Sequence, residues 1–198
     1  HLVTPSRWLA GLVRESFLGG CDIRVLNNGI DLSRYRPAKS DLRARYGLED
    51  KTVLLSVAYM WNEMKGYYLL QQIAEGLDDR YRIVMIGNKD ESSLSKKILS
   101  LPATSSQEEL AKWYTAADLF LNPTLGDNFP TVNIESLACG TPIVTNDTGG
   151  SPEIAGNEYG RVVYSKTAEE FIRKIEECLA AEISPEACVE HAGLFSPD

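Results

Sequence analysis

The feature of this sequence that most constrains its fold is a series of short apolar runs separated by helical patterns. The runs read DIRVL, TVLLSVA, RIVMIG, DLFLNPT, TPIVTND and GRVVYS. They are rich in β-branched residues and apolar almost throughout, which is typical of strands buried on both faces of a parallel sheet. The alternation of strand and helix therefore predicts an α/β fold with a doubly wound parallel sheet.

The segments between these runs carry signals of helix starts. Ser6 and Ser106 can each cap a helix, and Glu109 stands three positions after Ser106, which is the spacing of a capping box. Apolar residues from Thr167 to Ala181 follow a period of about 3.6 residues. A further helix is predicted from about Thr131 to Cys139, since Pro suits a helix start and Gly a helix stop.

The composition is that of one ordinary globular domain. The 198 residues are 43% hydrophobic and 24% charged. Because 28 Asp and Glu outnumber 20 Lys and Arg, the net charge is −8, and no broad basic face is available for a nucleic acid. No nucleic acid partner is expected, and any site for an anion has to be built locally from helix ends and a few cations.

Cysteine spacing and hydropathy indicate the environment. No C-x-x-C pair and no histidine at ligand spacing is present, which argues against a zinc site and a disulfide framework. No apolar run of about 18 residues and no signal-peptide pattern occurs. We therefore expect a cytoplasmic protein with reduced thiols and no transmembrane segment. The four cysteines are Cys21, Cys139, Cys178 and Cys188.

Ligands of open α/β sheets bind beyond the carboxyl ends of the strands. The helix predicted after DLFLNPT would present the N–H groups of its first turn, Thr131 to Asn133, and the positive end of its dipole to that crevice. Glu135 lies four residues after Thr131 and hence on the same helix face. A carboxylate there needs hydrogen-bond donors. Ribose hydroxyls could supply them; capping of another backbone segment, or exposure to solvent, is an equally open alternative.

Other loops offer more ambiguous features. Asp127, in the segment GDN, is by itself best interpreted as a turn residue. Lys65 and Gly66 precede a helix predicted to begin near Tyr67, where a lysine either serves a bound phosphate or is simply solvated. The segment TNDTGGSPE could approach a ligand closely or be only a turn. His191 is predicted to be a surface histidine rather than a general base.

Two common nucleotide-binding signatures are missing from the sequence. No G-x-G-x-x-G follows a strand, which weakens the case for a dinucleotide oxidoreductase. No G-x-x-x-x-G-K-[ST] occurs either, which weakens the case for an NTPase.

Together these segments resemble the C-terminal nucleotide-binding half of retaining GT-B glycosyltransferases, a group marked by an acid-x7-Glu motif. The resemblance covers nearly the whole chain and rests on ordered blocks, among them VLNNGIDLSRYRP, MKGYYLL, SQEELAKWYTAADLFLNPT and NIESLACGTPIVTNDTGGSPEI. It implies that residues 1–198 are a Rossmann-like donor-binding domain, one half of a GT-B fold. An N-terminal acceptor domain and a final C-terminal segment are expected to be absent from this chain.

The resemblance also implies roles for individual residues. Asp127 would contact hydroxyls of the transferred sugar, Glu135 would accept from the ribose, and Lys65 would bind phosphate. The family usually has an arginine a few residues before this lysine; here it is missing, and Tyr59 lies nearest its position. The first motif acid is Asp where Glu is commoner. Further donor contacts are implied at Asn28, Gly29, Tyr59, Gly66, Leu101, Pro102, Asn128, Phe129, Pro130 and Thr131.

The activity implied is transfer of a glycosyl group from a UDP- or GDP-sugar to an acceptor hydroxyl, with retention and without a metal or other cofactor. The acceptor, a sugar or glycolipid, would be held by the missing domain, which could also place the protein at the inner membrane. The analogy extends to polysaccharide biosynthesis. The alternatives are a GT-B relative that epimerises or hydrolyses a nucleotide sugar, and a non-catalytic nucleotide-binding module. We expect the isolated chain to be nearly inactive.

Overall fold

The computed structural model describes residues 1–89 and 94–196. Within these ranges the strands are β1 (Leu2–Thr4), β2 (Ile23–Val25), β3 (Thr52–Trp61), β4 (Tyr81–Lys89), β5 (Ile98–Leu101), β6 (Leu119–Asn122), β7 (Ile143–Asn146) and β8 (Gly160–Val163). The helices are α1 (Arg7–Arg14), α2 (Leu42–Arg45), α3 (Tyr67–Gly76), α4 (Gln107–Ala116), α5 (Thr131–Ala138), α6 (Ser151–Ala155), α7 (Ala168–Ala180) and α8 (Pro185–Ala192). Two 3₁₀ turns span Glu63–Lys65 and Gly193–Phe195.

Six strands form one parallel sheet in the order β5-β4-β3-β6-β7-β8. The chain winds outward from β3 to β5 and then returns to β6 on the other side of β3. This reversal is a topological switch point, and it places a crevice at the carboxyl ends of β3 and β6. The predicted doubly wound α/β fold is confirmed.

Helices cover both faces of this sheet. On β3, Val53 and Leu55 belong to the apolar cluster on the side of α4, α5 and α8, whereas Leu54 belongs to the cluster on the side of α3 and α7. All three side chains are fully buried. Because successive side chains of a strand point to opposite faces, burial on both sides explains why the runs are apolar throughout rather than alternating.

The run DIRVL contains β2, but this strand does not join the six-stranded sheet. It pairs in parallel with β1 in a separate two-stranded sheet, and α1 forms the connection between the two strands. A parallel pair needs such a crossover, and the first helix of the chain supplies it locally. The strand that begins in TVLLSVA continues to Trp61 and is longer than the run itself. Strands β1 and β5 were not predicted from the sequence.

The helix signals are largely confirmed. The Ser6 hydroxyl accepts from the backbone N–H of Leu9, and the Ser106 hydroxyl accepts from that of Glu109 at 3.2 Å. The Glu109 carboxylate accepts from the Thr104 hydroxyl at 2.7 Å, so the reciprocal bond of a capping box is not seen among the described contacts. Helices α5 and α7 lie where they were predicted.

His191, predicted to be a surface histidine, is half-buried in the structure. The residue belongs to α8, which packs against α5. Its ring stacks on Tyr159 with centroids 3.9 Å apart, and its Nε2 lies 3.0 Å from the carbonyl oxygen of Ile154.

Across residues 1–89 and 94–196, no helix has the length and apolar character needed to cross a bilayer.

Candidate functional site

A cavity of about 360 Å³ lies at the switch point, beyond the carboxyl ends of β3 and β6. Its lining residues come from four separate stretches of the chain, which the folded sheet brings together. Seven residues implied by the family resemblance line it: Asn28, Tyr59, Lys65, Asp127, Phe129, Pro130 and Thr131.

The loop that carries Lys65 is shaped by its neighbours. The Asn62 side chain accepts from the backbone N–H of Lys65 at 3.0 Å. Gly66 follows with φ +77°, and a Cβ atom there would lie 2.2 Å from the carbonyl oxygen of Pro123. Only glycine combines this left-handed conformation with so close an approach. Gly66 therefore shapes the loop and is not itself a lining residue of the cavity.

Lys65 and Asp127 form an ion pair inside the cavity, with Nζ 2.9 Å from Oδ2. The other carboxylate oxygen of Asp127 accepts from the backbone N–H of Phe129 at 3.2 Å. The turn interpretation of Asp127 therefore holds alongside a charged contact. The side chains of Lys65 and Asp127 remain 41% and 23% exposed, so a ligand can reach both charges.

The amino end of α5 opens into the same cavity. Thr131 and Val132 line it, and no side chain caps this helix end within the described part of the chain. The first N–H groups of a helix have no intrahelical acceptor, and they carry the positive end of its dipole. Pro130 has no N–H to donate. The Asn133 N–H donates to the Pro130 carbonyl at 3.1 Å. An anion in the cavity would thus meet Lys65 on one side and the amides of Thr131 and Val132 on the other.

Glu135 stands one turn behind Thr131 and is not among the lining residues. Its Oε2 accepts from the Tyr114 hydroxyl at 2.9 Å. Burial raises the pKa of the Glu135 carboxyl, and hydrogen bonds from Tyr114 and Thr131 oppose that rise. The described contacts of the Glu135 carboxylate are thus with side chains and not with a backbone segment that it would cap. One of these partners, Thr131, lines the cavity.

A second cavity, of about 240 Å³, contains Leu101 and Pro102 together with Tyr46 and Trp113. Strand register relates it to the first cavity along the sheet. Val57 of the first cavity pairs in register with Ile86 of the second, and Ile86 pairs with Leu101. Two strand spacings, about 10 Å, therefore separate β3 from β5 along this row.

Besides Glu135, three residues implied as donor contacts lie outside both cavities: Gly29, Gly66 and Asn128. Gly29 is exposed, and its neighbour Asn28 donates its side-chain amide to the Phe129 carbonyl at 3.4 Å. Asn128 is exposed, and its carbonyl accepts from the backbone N–H of Gly150 at 3.0 Å.

The Gly-Gly turn approaches the protein's own backbone. A Cβ atom on Gly149 would lie 1.6 Å from the Asp127 carbonyl oxygen, and one on Gly150 would lie 2.5 Å from that of Asn128. Neither glycine lines the cavity. The close approach suggested by the sequence is therefore made to the loop that carries Asp127.

Sequence reasoning missed three side chains around these cavities. Tyr114 holds Glu135, Asn122 lines the first cavity and donates to the Asn133 side chain at 2.8 Å, and the Trp61 indole donates to the Ile86 carbonyl at 3.0 Å. The helical period through WYTAA places Tyr114 on the buried face of α4 and was a usable signal. A register shift between Val57 and Met60 marks a bulge, where Tyr59 is 81% exposed.

Known proteins share both the sequence pattern and the fold. The family model described as glycosyl transferases group 1 matches residues 38–194. TuaC of Bacillus subtilis, named for teichuronic acid biosynthesis, is 31% identical over 163 residues, covering 80% of this chain and 42% of its own length. A D-inositol 3-phosphate glycosyltransferase of Segniliparus rotundus is 32% identical over 196 residues, covering 88% of this chain and 44% of its own.

Solved structures agree with this assignment at the level of the fold. Sucrose-phosphate synthase from Thermosynechococcus elongatus superposes with a TM-score of 0.82 at 21% identity, over 98% of this chain and 54% of that one. HepE of Anabaena in complex with UDP-glucose superposes with a TM-score of 0.81 at 16% identity, over 98% and 59%. The chain spans less than half the length of the curated relatives it matches. It belongs to the glycosyl transferases group 1 family.

Proposed function

We propose that this chain is the donor-binding half of a glycosyltransferase that moves a glycosyl group from a nucleoside-diphosphate sugar to an acceptor hydroxyl, with retention. The observation that carries the proposal is the row of two cavities at the switch point, with Lys65 and the amino end of α5 at one end. In the proposal, nucleoside and diphosphate occupy the two ends of this row, which two strand spacings, about 10 Å, separate. HepE, which has this fold, binds UDP-glucose.

The donor is assigned to the site group by group. Its base occupies the cavity at Leu101 and Pro102, and its diphosphate lies between Lys65 and the first amides of α5. The ribose lies near Glu135, whose carboxylate, already hydrogen-bonded by Tyr114, has further acceptor capacity. The transferred sugar faces Asp127.

The chemical step breaks the bond between the anomeric carbon and the leaving diphosphate oxygen. The acceptor oxygen bonds to that carbon on the face from which the diphosphate departs, and a phosphate oxygen of the donor takes the acceptor proton. Negative charge grows on the diphosphate as the sugar acquires oxocarbenium character. Lys65 and the α5 amino end stabilise that charge most in the transition state. The chain's own groups perform this role without a metal ion.

The acceptor is assigned to another part of a longer protein. This chain matches only 42% and 44% of the length of the two relatives described above. A sugar or glycolipid acceptor would be bound by that other part, in the cytoplasm or at the inner membrane surface, in the assembly of a polysaccharide. The isolated chain is then expected to bind donor weakly and to turn over negligibly.

Calorimetric titration with UDP, GDP and their sugars tests the donor assignment. Lys65→Met should weaken binding at least about tenfold, because a charge-assisted contact to phosphate is lost. Lys96→Met, at an exposed lysine that lines neither cavity, should change it little. Equal effects of the two substitutions, or no nucleotide binding at all, would contradict the proposal. Product analysis of the complete protein, with and without acceptor, separates transfer from hydrolysis or epimerisation.

A further inference from the structure

A third cavity, of about 650 Å³, lies between residues 33–39 and the first turns of α4. It shares no lining residue with either cavity of the candidate site. Its volume falls in the range of about 300–1,000 Å³ that is usual for small-molecule sites. We call it the α4 cavity and define it by six of its lining residues: Arg34, Arg36, Lys39, Gln107, Glu108 and Lys112.

The α4 cavity is basic although the chain is acidic. Among the described residues, its lining includes one carboxylate, that of Glu108, and four cationic side chains, those of Arg34, Arg36, Lys39 and Lys112. Glu108 pairs with Lys112 at 2.7 Å along the same helix. The chain as a whole has a net charge of −8. Cations gathered in a concave site raise the local concentration of anions, so this cavity is suited to an anionic ligand.

Arg36 and Lys39 supply the positive charge of the α4 cavity that is not already matched. Both are exposed, and within residues 1–89 and 94–196 neither forms an ion pair. Arg34 differs, because its Nε lies 3.0 Å from the Asp31 carboxylate. A ligand with more than one negative charge can therefore engage Arg36 and Lys39 without breaking an existing pair.

One wall of the α4 cavity is held in place by contacts with the core. The Gln107 side chain accepts from the Arg34 guanidinium at 2.7 Å and is also hydrogen-bonded with Tyr35. Tyr35 is only 7% exposed, and its ring meets that of Tyr114 edge-on with centroids 6.3 Å apart. An arginine that is already positioned loses less side-chain freedom when a ligand binds. Part of the cavity is thus pre-organised.

We propose that the α4 cavity binds a phosphate group, carried either by a free small molecule or by a lipid head group. A carboxylate brings one negative charge, whereas a phosphate monoester brings about 1.5 to 2 and three acceptor oxygens. The guanidinium groups of Arg34 and Arg36 offer paired N–H donors to such oxygens, and Lys39 adds a point charge. The inference does not depend on the donor assignment, because the two sites share no lining residue.

Calorimetric titration with inorganic pyrophosphate at low salt tests the inference. The Lys65→Met protein is used, so that the cation of the donor cavity does not contribute. Adding Arg36→Met and Lys39→Met together should raise the Kd at least about tenfold, because two charge-assisted contacts are lost. Adding Lys96→Met and Lys166→Met instead removes the same charge at exposed lysines outside the α4 cavity, and should change the Kd less than about twofold.

Vesicle flotation distinguishes the two sources of the phosphate. The probes are vesicles of phosphatidylcholine with and without phosphatidic acid. If the protein binds only the vesicles with phosphatidic acid, and Arg36→Met with Lys39→Met abolishes that binding, the cavity takes a lipid head group. If the protein binds pyrophosphate but neither kind of vesicle, it takes a free phosphate compound.

Three results would overturn the inference. The first is an absence of saturable pyrophosphate binding by the Lys65→Met protein. The second is an equal effect of the two pairs of substitutions, since the attraction would then be a property of the whole surface. The third is displacement of the bound pyrophosphate by UDP, because both would then occupy the donor cavity.

Discussion

The ion pair between Lys65 and Asp127 predicts that removing the negative charge of Asp127 strengthens nucleotide binding. In the structure the Lys65 ammonium is 2.9 Å from the Asp127 carboxylate, and both side chains are partly exposed. A diphosphate that takes Lys65 must break this pair, and it also meets the negative charge of Asp127. Asp127→Asn removes both obstacles while keeping the size of the side chain.

The magnitude follows from the exposure of the pair. Partly exposed ion pairs contribute about 0.2–1 kcal/mol. Asp127→Asn should therefore lower the Kd for UDP or GDP by a factor of about 1.4 to 5. Lys65→Met removes a charged donor to phosphate, worth about 1.5–3 kcal/mol, and should raise the Kd roughly 10- to 150-fold. With Lys65 already replaced, Asp127→Asn should have a smaller effect, since no pair remains to break.

Calorimetric titration of the four proteins of this cycle measures the coupling directly. Asp147→Asn is the matched control, because it removes an exposed carboxylate from the loop after β7 that has no ion pair among the described contacts. The reasoning is refuted if Asp127→Asn weakens binding of the sugar-free nucleotide, or if its effect is the same with and without Lys65. Turnover of the complete protein should still fall in Asp127→Asn, since its contact to the transferred sugar changes.

Three further predictions concern neighbouring positions. Burial raises the folded-state pKa of Glu135, so the contribution of this carboxyl to stability declines as pH rises from the ordinary value of 4.5 through the raised pKa. Glu135→Gln should therefore gain stability relative to wild type over that pH interval, and it should lose nucleotide affinity. A difference in urea denaturation between the two proteins that does not change with pH would contradict this. Gly66→Ala should lower the free energy of unfolding by more than Gly47→Ala, for which we expect about 1–2 kcal/mol. Gly47 has a similar positive φ, but an added Cβ there meets no atom within 4 Å. Equal losses in chemical denaturation would show that the approach of Gly66 to Pro123 does not matter. Glu153→Ala should cost about 1–2 kcal/mol and speed amide exchange at the amino end of α1, and unchanged exchange there would exclude the carboxylate as its cap.

The strands and helices that build the site were accessible from the sequence because their signals are local. The run TVLLSVA predicts β3 by its apolar β-branched content. Ser106 marks the start of α4, and its hydroxyl accepts from the N–H of Glu109 only three positions later. The bounds of α5 follow from Pro130 and Gly140, the latter with φ +86°. Exceptions occur where tertiary pairing decides: β2 has the composition of the other strands, but its partner is β1.

The roles of the charged residues were less accessible. Asp127 was equally compatible with a simple turn residue, and Lys65 with a solvated surface lysine. The neighbours of neither residue in the sequence indicate that the two side chains meet. The two residues are 62 positions apart and are brought together by the adjacency of β3 and β6, which no local pattern encodes. The partner of Glu135 was also missed, because Tyr114 lies on another helix, 21 positions earlier.

The sequence by itself determined that alternating buried strands and amphipathic helices form an α/β sheet, and which loops carry acids, a lysine and an uncapped helix start. These properties depend on residues a few positions apart, so periodicity and capping chemistry reveal them. Only the tertiary structure decided that Lys65 engages Asp127, that Tyr114 holds Glu135, and that two cavities align along β3, β4 and β5. Those contacts join distant segments, and the order of strands in the folded sheet sets which segments meet.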